Sequence, residues 1–354
     1  MPSEISTSGI STDPSHNRHR SAIDPDFRKS SCSAIFDQLV PEPARCNDND
    51  RMRNVATIAV GARPTCLAAF HDHVWVTNTD DDSVSIIECA TKSVIATVNV
   101  GSRPAGLTID PQIGAFVANS GDGTITVLNR DHTFRATIEC ETSAGGPPQP
   151  IGLVNLHTAA MVVVVNRKGG VGRINHGGPL PTSSTFFDGG DHPFVFDGVD
   201  RSPLGVTVAD PTRFVYVTNP AADSVSVFDT SAGVPRRRAV TPVGRRPVGA
   251  ASHPRQPLTY VANSKSDTLS VIREEEEIAV IDVGPRPFGV TVDPQERIWV
   301  THDGGAVTMV DALTNTVKAT VEVGSRPTGI AVDLRTGHAY VANSGEGTVT
   351  VIEP

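Results

Sequence analysis

No stretch of this sequence approaches the roughly 18 consecutive apolar residues that a membrane-spanning helix needs. The first twenty residues, MPSEISTSGISTDPSHNRHR, also lack the apolar core of a leader segment. A soluble, cytoplasmic protein with no membrane partner is the expectation. A basic excess is missing too: 30 Lys and Arg stand against 39 Asp and Glu, for a formal net charge of −9. That balance argues against nucleic acid or an anionic surface as a general partner, because both reward positive charge. Cysteine is sparse. Cys32, Cys46, Cys66, Cys89 and Cys140 are odd in number and none sits in a CxxC pair, so neither a complete disulfide set nor a metal knuckle follows. A Cys32–Cys46 bridge and free thiols both remain open.

The first 53 residues lack the apolar content needed to offset the entropy of ordering, so a largely disordered tail is expected over 1–53. Within it, Ala34-Ile35-Phe36 and Leu39-Val40 could form a docking helical turn or a transient apolar patch.

What is present is a repeat. Seven short phrases recur, each followed by an apolar run ending in Asn or His and then by a second alternating run: Gly61-Ala62-Arg63-Pro64, Gly101-Ser102-Arg103-Pro104, Pro147-Pro148-Gln149-Pro150, Asp200-Arg201-Ser202-Pro203, Gly244-Arg245-Arg246-Pro247, Gly284-Pro285-Arg286-Pro287 and Gly324-Ser325-Arg326-Pro327. Each unit reads as four short strands with period-two alternation and turn residues between them. The last unit stops after three strands, Thr328–Val332, His338–Asn343 and Thr348–Ile352. Its missing fourth matches Val55–Val60, which stands alone ahead of the first phrase. A ring follows, in which the N-terminal strand completes the last sheet and no blade is left with an open partner. The predicted fold is all-β, a seven-bladed propeller of four-stranded antiparallel blades spanning 54–354.

The second-strand endings Val76-Thr77-Asn78, Val117-Ala118-Asn119, Val165-Asn166, Val217-Thr218-Asn219, Val261-Ala262-Asn263, Val300-Thr301-His302 and Val341-Ala342-Asn343 resemble the YVTN family of β-propeller repeats over residues 55–354. Propellers of this kind serve as binding scaffolds, surface-layer proteins and enzymes. Seven-bladed lactonases and streptogramin-opening lyases work with acid/base side chains around the channel, and Val74-Trp75-Val76-Thr77 and Ile298-Trp299-Val300-Thr301 resemble the lyase repeats. The Mg²⁺-associated Glu and His residues of the lyase find no matched positions in this sequence.

In such a blade the loop entering the inner strand and the turn between the second and third strands share one face. Arg63, Arg103, Arg246, Arg286 and Arg326 therefore belong to one rim of the channel, with Gln149 and Ser202 in the other two blades. Clustered guanidinium groups suit a carboxylate or phosphate, so a small anionic molecule or acidic peptide is one expected ligand. The alternative is that Asp122, Asp223, Asp267 and Glu346 pair with these arginines and tie blades together. The recurrent Asn residues are expected to cap turns by bonding backbone two residues on.

Breaks in the repeat are the catalytic candidates. Cys66 stands where six blades have Gly, and His302 replaces the terminal Asn of blade 6, both at the arginine end. A thiol beside His and Arg suits a nucleophile, and His302 suits a general acid or base; space-filling and turn-capping are the structural alternatives. His71 and His253 lie toward the opposite end, so no copper-type cluster forms. Residues 173–203 interrupt the repeat with His176, Asp188, Asp191, His192, Asp197 and Asp200, a polar loop or lid without a recognisable calcium or zinc pattern. The runs Glu274–Glu277 and Arg236–Arg238 share the opposite face, where they attract or repel one another or a partner. No cofactor is identified, no metal site is assigned, and oligomeric state is left open.

Overall fold

The computed structural model describes residues 52–142, 148–156, 160–167, 170–176, 183–186, 205–209, 212–232 and 235–354. Their strands form the expected all-β ring, each blade being an up-and-down sheet whose first strand is innermost. Blade 1, for example, runs Pro64–Phe70, His73–Asn78, Ser83–Glu88 and Ser93–Asn99. Successive inner strands touch around the circle, and that of blade 7, Pro327–Val332, touches that of blade 1. The strand Arg53–Ala59 pairs antiparallel with the last strand, Thr348–Glu353, and so supplies the outer strand of blade 7. That closing strand begins at Arg53, one residue ahead of the expected propeller start at 54, and Met52 before it is buried against Trp299. The remainder of the tail, with Cys32, Cys46 and the 34–40 patch, lies outside the described residues.

The pattern of burial explains the strand chemistry. Second strands are covered on both faces and the most apolar of them are nearly unbroken runs, such as Met161–Asn166, while third strands, also covered, alternate apolar residues with Ser and Thr, as in Ser224–Asp229. Outer strands are covered on one face only and alternate, as in Ser93–Asn99. The core is not central: seven apolar clusters among the described residues each fill one joint between neighbouring blades. Cys89 and Cys140 are buried in two of them, where burial pushes their thiols up to about 11 and about 12. Inner strands approach closely at the joints. A Cβ on Gly289 would stand 2.1 Å from the Thr328 carbonyl oxygen of the next blade, which is why glycine recurs two residues after the proline.

Blade 3 departs from the expected pattern. Its fourth strand, Ser183–Phe186, pairs antiparallel with Val171–Asn175 at one position only, and runs parallel along the outer strand of blade 2, Phe134–Thr142. Two blades thereby merge into one eight-stranded sheet. This strand lies within the 173–203 interruption, of which Asp188, Asp191, His192, Asp197 and Asp200 lie outside the described residues.

Candidate functional site

The five arginines before proline share one backbone state. Arg63, Arg103, Arg246, Arg286 and Arg326 have φ between 50° and 53°, the left-handed region that a residue with a Cβ enters only at a cost. Hydrogen bonds hold them there. Their carbonyls accept the N–H of the residue after each terminal Asn or His: Thr79 at 3.0 Å, Ser120 at 3.0 Å, Ser264 at 3.0 Å, Asp303 at 3.1 Å and Ser344 at 3.0 Å. Three of their own N–H groups donate to a carboxylate of the preceding blade, Arg103 to Asp82 at 2.7 Å, Arg246 to Asp223 at 2.7 Å and Arg286 to Asp267 at 2.9 Å. The residue before Arg is held likewise, Ser102 N–H by Asp122 at 2.6 Å and Ser325 N–H by Glu346 at 2.8 Å.

These bonds correct the expected pairing. Asp122, Asp223, Asp267 and Glu346 engage backbone amides of the phrases, because the turn points their carboxylates at the N–H groups and not at the guanidinium tips. All five arginines are exposed. Arg63 meets Asp80 at 3.2 Å and Arg286 meets Asp303 at 2.9 Å, both solvent-exposed pairs worth about 0–1 kcal/mol. Arg103, Arg246 and Arg326 have no carboxylate partner for their side chains among the described residues. Since blade 7 adjoins blade 1, the five occupy one unbroken arc through blades 5, 6, 7, 1 and 2.

The terminal asparagines also differ from expectation. They end their strands in ordinary strand pairing and reach across to hydroxyls of the third strand: Asn119 Nδ2 donates to Thr124 and Thr126, both at 2.9 Å, and Asn343 to Thr348 at 3.0 Å and Thr350 at 2.8 Å. Their amides also lie against the phrase glycines, as Asn119 does against Gly101. They clamp a blade to its own phrase, and the left-handed turn residue is the one four positions later.

His302 performs the same duty. The turn after it is one residue shorter, and the longer imidazole spans the difference: Nδ1 donates to the Pro285 carbonyl at 2.9 Å, while Nε2 is hydrogen-bonded with the Thr308 hydroxyl at 2.9 Å. The ring is 3% exposed, and burial lowers its pKa against the opposing effects of the Pro285 carbonyl and Asp267. Both ring nitrogens are engaged inside the protein, and burial disfavours the charged form. Cys66 sits at the joint of blades 1 and 2, its Sγ 3.9 Å from the Leu107 carbonyl and 4.0 Å from that of Leu67. Burial pushes its thiol up, the opposite of an activated thiolate. No contact brings Cys66 and His302 together.

At the opposite face His253 replaces the aspartate that caps the inner hairpin. Its Nδ1 accepts the N–H groups of Arg255 at 3.1 Å and Gln256 at 3.0 Å, as Asp110 accepts those of Gln112 and Ile113. Its Nε2 faces Glu296. His176 lies 3.5 Å from the buried Asp110, which Asn155 also holds at 2.9 Å. Arg238 pairs with Glu275, so the basic and acidic runs of blades 4 and 5 attract. Among the described residues no three His, Cys, Asp or Glu side chains converge in a metal-type group.

The fold and its arc define the class, a seven-bladed β-propeller with an arc of exposed arginines on one rim. Among solved structures it is similar to one titled "Streptogramin B lyase structure", with TM-score 0.69 and 14% identity, covering 86% of this chain and 97% of that one. Hydrazine synthase of Kuenenia stuttgartiensis superimposes with TM-score 0.63 at 15% identity, covering 82% and 96%. Identities this low show a shared fold. No family model matches the chain, and no curated protein sequence does. No helix among the described residues is long and apolar enough to cross a membrane.

Proposed function

We propose that this propeller, its repeats read as YVTN-type from their strand endings, binds a small anionic molecule or acidic peptide at the arginine arc. The observation that carries this reading is the backbone state of the arginines. Glycine would take φ near 50° without cost, whereas an L-residue there costs on the order of 1 kcal/mol. The ion pairs of Arg63 and Arg286 return no more than that, and Arg103, Arg246 and Arg326 have none among the described residues. Five strained positions presenting exposed forks in one arc are better accounted for by a ligand that meets them than by blade cohesion. The neighbouring carboxylates, occupied by backbone amides, leave the forks available for bidentate contacts.

An enzyme of lactonase or lyase type, with His302 as acid/base and Cys66 as nucleophile, is the less favoured reading. The Cys66 thiol is pushed up by burial, away from the thiolate, and both ring nitrogens of His302 are already engaged by Pro285 and Thr308. A protein-interaction scaffold, with the N-terminal segment as a tether or a part that folds on binding, is the third reading, and arginines without carboxylate partners among the described residues favour a ligand over it. A thermal-shift screen of small aliphatic carboxylates and phosphates, which have no aromatic ring for any other site, tests the leading reading. Wild type should rise in Tm with at least one of them, as linkage requires for a ligand of the native state. Arg286→Ala/Arg326→Ala should lose that rise, and stabilisation that survives the double change would refute the arc as the site.

A further inference from the structure

The opposite face carries a cleft of about 730 Å³ between blades 1 and 2, within the size range of small-molecule sites. Its floor is apolar, built from Phe70, Trp75, Ile109 and Ile113. Its rim is basic. Arg130 and Arg135 come from the outer hairpin of blade 2, while His71 and His73 flank the inner hairpin turn of blade 1. The carboxylates nearby are engaged: Asp72 pairs with Arg335 at 3.0 Å, and Asp131 accepts the Thr133 N–H at 3.2 Å and hydroxyl at 2.6 Å. Arg130 and Arg135 are exposed and have no carboxylate partner among the described residues.

This rim is built in advance of any ligand. The Asn129 N–H donates to the Thr133 carbonyl at 2.8 Å, the His132 N–H to the Asn129 carbonyl at 3.0 Å, and Asn129 Nδ2 to the Thr133 hydroxyl at 2.9 Å. A hairpin held this way presents its arginine with little ordering cost on binding. Behind it His132 stands edge-on to both His73 and Trp75, ring centroids 5.0 Å apart in each case. Its Nε2 is buried without a hydrogen-bond partner among the described residues. Burial, then His73, holds His132 below its ordinary pKa despite Asp131, so the wall behind Trp75 is a neutral aromatic one. The hairpin that supplies the charge and the rings that supply the apolar wall are thus locked to each other.

We propose that this cleft is a second ligand site, independent of the arginine arc, that takes a small planar aromatic carboxylate with its ring against Phe70 and Trp75 and its carboxylate held by Arg130 and Arg135. Aromatic faces give stacking area, and forked guanidinium groups give the charge selection.

The chain has two tryptophans, which makes the test direct. Trp299 is fully buried with its indole N–H on Asp293 at 2.9 Å, whereas Trp75, itself only 3% exposed, borders the cleft. With ¹⁵N-indole-labelled protein, and the signals assigned through Trp75→Phe, titration with 2-naphthoate should shift the Trp75 resonance saturably and leave Trp299 still. Neutral 2-naphthamide should bind roughly tenfold or more weakly, as should 2-naphthoate to Arg130→Ala/Arg135→Ala, since a charge-assisted bond is lost in each. Those two arginines are exposed, so the variant should keep its fold by circular dichroism. Arg286→Ala/Arg326→Ala should bind 2-naphthoate as wild type does. Absence of a saturable shift, equal binding of the amide, or indifference to the Arg130/Arg135 change would overturn the site. Loss of binding in the arc variant would overturn its independence.

Discussion

At the scale of the residue, this protein assigns one duty to different side chains. A terminal Asn clamps the third strand in most blades, and in blade 6 His302 does so with a turn one residue shorter. Asp caps the inner hairpin in several blades, and in blade 5 His253 does so through Nδ1. At His302 the exchange adds a proton equilibrium that asparagine lacks. His302 has a folded-state pKa below its ordinary 6.5, with burial the chief cause. The unfolded chain therefore takes up a proton first as pH falls. The stability linked to this ring is whole above about 6.5 and is lost as pH drops through that value toward the lowered folded one. His132 and His338 are displaced in the same direction, again chiefly by burial. Asp110 and Asp131 lie below their ordinary 3.8 and act only in stronger acid. Urea midpoints at pH 7 and pH 5.5 should thus fall less in His302→Asn than in wild type. Equal falls would mean that His302 is not held neutral.

At the scale of the element, the turn between second and third strands decides how firmly a blade grips the next. The residue that closes it is left-handed in all seven blades: Asp82, Asp223 and Asp267 at φ 50°, 48° and 62°, and Gly123, Gly170, Gly305 and Gly347 at 78°, 99°, 93° and 66°. All of these except Gly123 and Gly170 offer a carbonyl to the valine at or just beyond the end of the outer strand, as Asp82 does to Val100 and Gly347 to Val60, both at 2.9 Å. Where the residue is Asp, its carboxylate also crosses the joint to the N–H of the next Arg-Pro phrase. Where it is Gly that clamp is missing, and no such carboxylate faces the N–H of Arg63 or Arg326. Gly347→Asp should therefore add a clamp at the joint of blades 7 and 1. A Cβ there would meet only the Gly61 carbonyl oxygen, at 3.4 Å, and Asp tolerates the left-handed region. The expected gain in unfolding free energy is about 1 kcal/mol. Gly347→Ala, which carries the strain without the carboxylate, should lose stability, and the difference between the two variants isolates the hydrogen bond. A gain no larger for Asp than for Ala would remove the clamp from the account.

At the scale of the whole molecule, the ring was legible because its evidence is redundant: seven phrases, seven strand endings and one orphan strand at 55–60 all specify the same closure. What was not legible depends on geometry between units. The acids named as guanidinium partners reach backbone amides because a left-handed residue re-aims them, which spacing alone does not encode. The cleft escaped because Trp75 and His132 meet only when blades 1 and 2 are placed side by side. The parallel strand of blade 3 sits in the one interruption where the repeat offers no template. Closure itself carries the last prediction. Blades touch only their neighbours, so the ring is held shut by ordinary joints plus the pairing of Arg53–Ala59 with Thr348–Glu353. A chain beginning at Gly61 keeps all seven inner strands and all seven phrases. Yet it leaves the final strand as an open edge and takes Ile58 from the cluster between blades 7 and 1. An exposed edge templates pairing with a second chain. The truncated protein should melt at lower temperature and self-associate in sedimentation velocity. A peptide of residues 52–60, added in trans, should restore both monomer and Tm by strand addition. A shortened chain that stays monomeric with an unchanged Tm would show that the joints alone close the ring.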